Sequence, residues 1–167
     1  MIPFNLLSKR DLFFIYSMAH LHIRTADPSD LPILLSLYAD MHDYDEQAGE
    51  EELSYAWKEI MDNPALMPFI LEVDFVPVST CMFIYVPNLS RGARPFGIIE
   101  NVVTGKQFRN KGYGTALICH VLDCAWKKNC YKVMLLSGRK SEAVFRFYEQ
   151  AGFLRGEKEG FPRNAFV

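Results

Sequence analysis

Two apolar segments on either side of an amphipathic one constrain the fold of this chain most. Phe96 to Thr104 (FGIIENVVT) and Tyr131 to Ser137 (YKVMLLS) have the composition of buried strands. Between them, Leu117, Val121 and Ala125 recur at helical spacing. A strand, a helix and a second strand in one sheet form a parallel pair with a right-handed crossover. Residues 96–137 therefore predict an α/β unit.

The flanking segments extend this unit to a mixed α/β sandwich rather than a doubly wound fold. Upstream, the patterns predict a strand at 21–25, helices at 31–41 and 51–61, and strands at 68–73 and 76–86. Asp27 suits the N-cap of the first helix, with Pro28 at its first position. Downstream, Ser141 caps a fourth helix that Gly152 ends, and the tail adds one or two edge strands.

Composition sets limits on the class of protein. The chain has 167 residues and a formal net charge of -2, so nothing favours a nucleic-acid binder. Its four cysteines and four histidines show no metal-ligand spacing, so we expect no metal and buried thiols in a reducing cytoplasm. No apolar run approaches the roughly 18 residues of a membrane span. We expect one domain at 18–167, preceded by an extension of unclear role at 1–17.

The turn after the strand at 96–104 carries the chemistry. Arg109-Asn110-Lys111-Gly112-Tyr113-Gly114 leads into the predicted helix. Unpaired N–H groups and the dipole at a helix start bind anions such as phosphate. The two glycines allow close approach to the backbone, and Arg109 and Lys111 add charge-assisted contacts. A plain turn with solvated basic residues fits the same sequence. This motif alone therefore leaves open whether the turn is a phosphate site or a plain turn.

A wider pattern resembles the GNAT family of N-acetyltransferases. The family has Arg/Gln-x-x-Gly-x-Gly/Ala after a strand and a later Phe-Tyr-Glu-x-x-Gly-Phe. Here Arg109 to Gly114 and Phe147 to Phe153 match these motifs in order and spacing. The resemblance covers about residues 96–153, with Thr104-Gly105 and Ser141 as departures. It implies a mostly antiparallel central sheet flanked by helices on both faces, and acetyl-CoA as the donor.

The resemblance also implies which residues hold the coenzyme. The strand that ends at Thr104 would splay from its neighbour and pair with the pantetheine arm. Val102 and Thr104 would offer backbone groups, with Val103 between them, and the Val102 N–H would polarise the thioester carbonyl. The pyrophosphate would lie against Arg109, Asn110, Lys111, Gly112, Tyr113, Gly114 and Thr115. Ser141 would hydrogen-bond the coenzyme, although N-capping explains it equally well.

Two residues are candidates for acid–base catalysis. Glu100 is the only carboxylate in its apolar strand and lies two positions before Val102, which predicts the same strand face. It is either the general base or the partner of Arg91 or Arg94 in a salt bridge. Tyr148 resembles the tyrosine that protonates the departing thiolate; a core tyrosine is the alternative.

The implied activity is direct acetyl transfer to a primary amine of a small molecule or protein. The acidic run from Asp43 to Glu52 would suit a cationic acceptor. A homodimer is the family-level expectation, and no membrane partner is expected. The competing hypothesis is a non-catalytic acyl-CoA-binding module on the same fold, since a fold does not determine a function.

Overall fold

The computed structural model describes residues 20–41, 48–139, 141–157 and 160. Its strands are β1 (Leu21–Thr25), β2 (Leu66–Val73), β3 (Val76–Val86), β4 (Phe96–Thr104) and β5 (Val133–Leu135). Its helices are α1 (Leu31–Tyr38), α2 (Glu50–Asp62), α3 (Tyr113–Lys127) and α4 (Glu142–Gln150). Short 3-10 helices precede α1 at Pro28–Asp30 and α3 at Lys106–Phe108. The expected extension at 1–17 and the predicted strands of the tail lie outside the described residues.

The sheet has the strand order β1-β2-β3-β4-β5. The first three pairs are antiparallel, and β4 pairs with β5 in parallel across the α3 crossover. This arrangement confirms the predicted mixed sheet and the parallel unit at 96–137. No helix within the described ranges is long and apolar enough to span a membrane.

Helices cover both faces of the sheet, as predicted. On one face, the buried stripe of α3, including Leu117 and Val121, packs against Phe83 and Ile99 of β3 and β4. On the other face, Leu34 of α1 and Trp57 of α2 pack against Ile70 of β2. The Trp57 indole also donates to the Pro28 carbonyl at 2.9 Å, which ties α2 to the start of α1.

A β-bulge in β4 decides where its side chains point. Met82 of β3 lies opposite Glu100, whereas Thr80 lies opposite Val103. Two steps along β3 thus match three along β4, and Asn101, with a φ of 51°, supplies the extra residue. Because Thr80 and Met82 share a face, Glu100 and Val103 share it too.

The prediction that Glu100 and Val102 share a face is therefore wrong. Val102 packs against the core on the α3 side, whereas the face of Met82 and Glu100 is the one that α1 covers. The count of two residues assumed an unbroken strand, and a single inserted residue reverses the alternation.

Two elements end earlier than the patterns indicate. β5 covers Val133–Leu135 rather than 131–137, because the exposed Leu136 already lies beyond the last pair with β4. α1 ends at Tyr38 rather than Met41, and Asp40 and Met41 close tighter turns onto Leu37 and Tyr38. Because β5 ends at Leu135 and α1 ends at Tyr38, the loop backbone that follows each of them lies at the same edge of the sheet.

A partly buried charge network holds the start of α1 against the sheet. The Arg24 guanidinium donates to both oxygens of Asp30, at 2.5 and 2.9 Å, and to Glu72 on β2 at 2.8 Å. Asp30 also accepts from the Asp27 N–H at 2.7 Å, and Asp27 caps the turn that precedes α1. The hydrogen bonds from Arg24 lower the pKa of the buried Asp30 carboxyl.

Replacement of Arg24 by Met should lower the free energy of unfolding by about 3 kcal/mol, since two carboxylates lose their partner. The folded-state pKa of Asp30 lies below its ordinary value of 3.8. Its stabilisation is therefore present above that pH and is lost as the pH falls through the lowered folded-state pKa. Urea unfolding should show the difference between wild type and Arg24→Met at pH 7 and its decrease in acid.

The matched control is Lys58→Met, which breaks the exposed pair of Lys58 with Asp62 on α2. It should cost less than about 1 kcal/mol. Equal losses in the two variants would contradict a special role of the Arg24 network.

Candidate active site

A cleft of about 970 Å³ opens where β4 continues past the end of β5. The two strands pair from Gly97 to Ile99, so among the described strands the half of β4 from Glu100 to Thr104 has no neighbour on that side. The start of α3, the loop at 136–139 and one side of α4 complete the walls. This gap is the splay that the family resemblance implies.

Most of the predicted site residues line this cleft. They are Glu100, Val102, Val103, Thr104, Arg109, Asn110, Gly112, Tyr113, Gly114, Thr115 and Tyr148. Lys111 and Ser141 do not line it; the Lys111 ammonium lies 5.5 Å from the centre of the Phe108 ring. Ser141 caps α4, with its hydroxyl accepting from the Val144 N–H at 3.4 Å.

The turn before α3 presents backbone N–H groups to the cleft. Asn110 and Gly112 have φ angles of 60° and 81°, the left-handed conformation that glycine adopts without strain. The first hydrogen bond of the helix runs from the Ala116 N–H to the Gly112 carbonyl. The N–H groups of residues 113–115 precede that bond, so they have no partner within the helix and form an anion site.

Arg109 fastens this turn to the rest of the domain. Its Nε donates to the Thr104 carbonyl at 3.0 Å and its Nη2 to the Asp40 carbonyl at 2.8 Å. The Asp40 carboxylate in turn accepts from the Lys106 N–H at 2.7 Å, the main reason why the pKa of Asp40 is lowered. The guanidinium thus binds two carbonyls and positions the helix start, beside any contact it makes to a phosphate.

Gly114 has a packing role that the sequence did not reveal. A Cβ at this position would lie 3.0 Å from Thr104 Oγ1 and 3.1 Å from the Phe147 ring. The missing side chain allows the first turn of α3 to touch both β4 and α4. Close approach of elements at Gly114 and the left-handed backbone at Gly112 explain the two glycines of the motif.

Tyr148 belongs both to the core and to the cleft. Its ring lies 4.8 Å from that of Phe147 and 6.3 Å from that of Phe153, measured between centroids. Burial is the main cause that raises the pKa of its hydroxyl; the negative charge of Glu100 adds to this, and Arg139 opposes it. The phenol therefore stays protonated at neutral pH and remains a proton donor.

The salt bridge considered for Glu100 does not form. Arg94 donates to the carbonyls of Asn129 and Cys130, at 3.3 and 3.2 Å, and Arg91 lies 6.0 Å from the Tyr131 ring centre. Within the part of the chain that the structure describes, Glu100 takes part in no ion pair. Glu100 lines the cleft together with Tyr148.

The lining residues that sequence reasoning missed include Asp40, Met41, Arg139 and Arg146. The first two follow α1, and only the tertiary fold brings them beside the turn before α3. The Arg139 guanidinium donates to the Met41 carbonyl across 98 positions of sequence. Arg139 follows a Ser-Gly pair after an apolar strand. The loop that this pair predicts was the feature of the sequence that could have indicated Arg139.

One cleft thus contains a strand edge without a partner among the described strands, a helix start suited to anions, a carboxylate and a phenol. The chain matches the Acetyltransferase (GNAT) family over residues 31–153. It therefore belongs to this family and is an N-acetyltransferase by class.

Similar proteins agree with this assignment. Glucosamine 6-phosphate N-acetyltransferase of Trypanosoma brucei brucei is 30% identical over 139 residues, which cover 83% of this chain and 92% of that protein. The structure called "Putative acetyltransferase from Agrobacterium tumefaciens str. C58" has a TM-score of 0.81 at 39% identity, over 86% and 99% of the chains. An acetyltransferase from Clostridium acetobutylicum with acetyl-CoA shares the fold, with a TM-score of 0.68 at 20% identity over 86% and 96%.

The helix start can be tested with Gly112→Asp. A carboxylate there opposes an anion, and the φ of 81° adds strain, so the Kd for coenzyme A should rise at least about 10-fold. Isothermal titration calorimetry measures the change. Gly152→Asp is the matched control, because Gly152 has a φ of 92°, open space around it and no place in the cleft. Unchanged binding by Gly112→Asp would contradict the anion site.

Proposed function

We propose that this chain transfers an acetyl group from acetyl-CoA directly to a primary amine, with Glu100 as general base and Tyr148 as general acid. One observation carries the proposal: the unpaired half of β4 joins the anion site at α3 to a carboxylate and a protonated phenol in one cleft. The finer assignments of residues and acceptor go beyond the family membership.

The cleft fits the coenzyme by shape and chemistry. Residues 113–115 offer N–H groups to the pyrophosphate, and Asn110 and Gly112 shape the turn that presents them. Val103 directs its carbonyl to the Ser79 hydroxyl on β3, at 2.7 Å. Because successive carbonyls of an extended strand alternate, the groups of Thr104 face the gap, where an extended pantetheine arm adds like a strand.

The chemical step needs three groups of this protein. Glu100 takes a proton from the acceptor ammonium, directly or through water, so that the nitrogen gains its lone pair. The nitrogen attacks the thioester carbonyl carbon, and the Val102 N–H stabilises the developing oxyanion. As the carbon–sulfur bond breaks, Tyr148 gives its proton to the thiolate. The nitrogen loses the extra proton that it carries after the attack, which restores the phenol directly or through water, and the products are an amide and free coenzyme A.

The bulge at Asn101 supports these separate roles of Glu100 and Val102. Glu100 lies on the α1 face and Val102 on the α3 side, so an acceptor and a coenzyme can approach from opposite faces. A strand without the bulge would place both side chains on one face. This arrangement supports separate routes for the two substrates.

The acceptor class stays open within primary amines. The trypanosomal relative is named for glucosamine 6-phosphate. A phosphorylated amino sugar therefore belongs in the test panel beside cationic amines. The acidic residues Asp43, Asp45 and Glu46, which suggested a cationic acceptor, lie outside the described residues.

The catalytic roles predict losses in kcat. Glu100→Gln removes the base, and Tyr148→Phe removes the acid while retaining the ring packing, so each should lower kcat by about 100-fold or more. Release of thiol from acetyl-CoA over a panel of amines measures the rate. The matched controls are Glu59→Gln and Tyr55→Phe, an exposed pair on α2 away from the cleft, which should retain wild-type rates.

The outcomes separate the enzyme from a binding module. Saturable coenzyme binding without turnover on any amine would favour the non-catalytic module. Wild-type rates in both active-site variants would disprove the assigned roles of Glu100 and Tyr148.

A further inference from the structure

The two substrates meet in a gap whose faces differ in charge. Glu100 points to the face that α1 covers, whereas the helix start at Gly112 belongs to α3 on the other face. An acceptor that presents its amine to Glu100 therefore enters on the α1 face. The charged side chains at that mouth decide which amines fit.

Arg139 lies at this mouth. It follows β5, on one side of the gap, and its guanidinium donates to the carbonyl of Met41, which follows α1 on the other side. The side chain thus bridges the gap on the α1 face. The guanidinium has five N–H groups, so the bond to Met41 orients it and leaves donors for a ligand.

We propose that Arg139 binds an oxyanion of the acceptor, a phosphate or carboxylate, while the acceptor amine points to Glu100. The inference rests on the proposed function and specifies its acceptor as an amine that also bears an anionic group. A guanidinium binds such groups with two parallel hydrogen bonds, which fixes orientation as well as charge.

The other cationic side chains in and near the described cleft either bind groups of the protein or lie on the α3 side. Arg109 binds the carbonyls of Thr104 and Asp40. Lys106, which does not line the cleft, pairs with the Asp40 carboxylate at 3.5 Å. Arg146 belongs to α4, which packs on the α3 side. Arg139 is thus the described lining cation placed on the face of Glu100.

Electrostatics agree with this placement. Both Glu100 and Arg139 act on the Tyr148 hydroxyl, in opposite directions. The carboxylate, the phenol and the guanidinium therefore lie within electrostatic reach of one another, as binding of one small acceptor requires.

The test compares two pairs of amines that differ only by a phosphate: glucosamine with glucosamine 6-phosphate, and ethanolamine with O-phosphoethanolamine. Wild type should have a lower KM for each phosphorylated amine. Arg139→Met should raise that KM about 10- to 100-fold, the size of a lost charge-assisted hydrogen bond, with little change for the unphosphorylated partner. Inorganic phosphate should compete with the phosphorylated acceptor in wild type and lose this effect in the variant.

Arg91→Met is the matched control, because Arg91 is exposed in the loop before β4 and does not line the cleft. The KM for acetyl-CoA should stay within about twofold in both variants. A rise in the KM for acetyl-CoA alone would assign Arg139 to the coenzyme and overturn the proposal. Equal effects on the two members of a pair, or a wild-type preference for cationic amines, would also overturn it.

Failure of the proposed function gives a different result. In that case wild type binds coenzyme A but acetylates none of the four amines. Calorimetry on the coenzyme complex then tests Arg139 without turnover: weaker binding of glucosamine 6-phosphate by Arg139→Met supports the inference, and equal binding refutes it. Arg139→Lys, which keeps the charge and loses the planar fork, should fall between wild type and Arg139→Met.

Discussion

The loss of a strand partner beyond Ile99 is the constraint on which the site depends. β4 continues to Thr104, whereas β5 stops at Leu135, so among the described strands one edge of β4 lacks a partner. Backbone N–H and C=O groups are costly to bury without partners. In the proposed function, an extended pantetheine arm supplies partners for them between the fourth and fifth strands of the sheet.

Backbone groups and side chains together form this gap. The start of α3 supplies N–H groups for an anion, and Gly114 lets that helix touch β4 and α4. Arg109 joins the turn to α1, and Arg24 joins the start of α1 to the sheet through Asp30 and Glu72. The position of α1 matters because Asp40 and Met41 at its end form part of the cleft wall.

Local patterns predicted the strands at 21–25, 76–86 and 96–104 with their observed ends, and also the cap at Ser141. Alternation and helical spacing are properties of neighbouring residues, so sequence reveals them. The same patterns extended β5 too far at both ends, because an apolar run indicates burial without showing where the strand loses its partner. They also left open whether Glu100 is a general base or a salt-bridge partner, because the answer depends on where Arg91 and Arg94 lie.

The order of the elements, the parallel unit and the glycine-rich helix start were determined by the sequence alone, since each follows from local chemistry and spacing. The face of Glu100 was decided by tertiary structure. The bulge at Asn101 exists only relative to the register of β3, and no residue count within β4 can show it. Arg139 and Met41 likewise meet only because distant segments converge at one sheet edge. The helix start of the candidate coenzyme site is thus readable in the sequence, whereas the face of Glu100 and the contact of Arg139 are products of the fold.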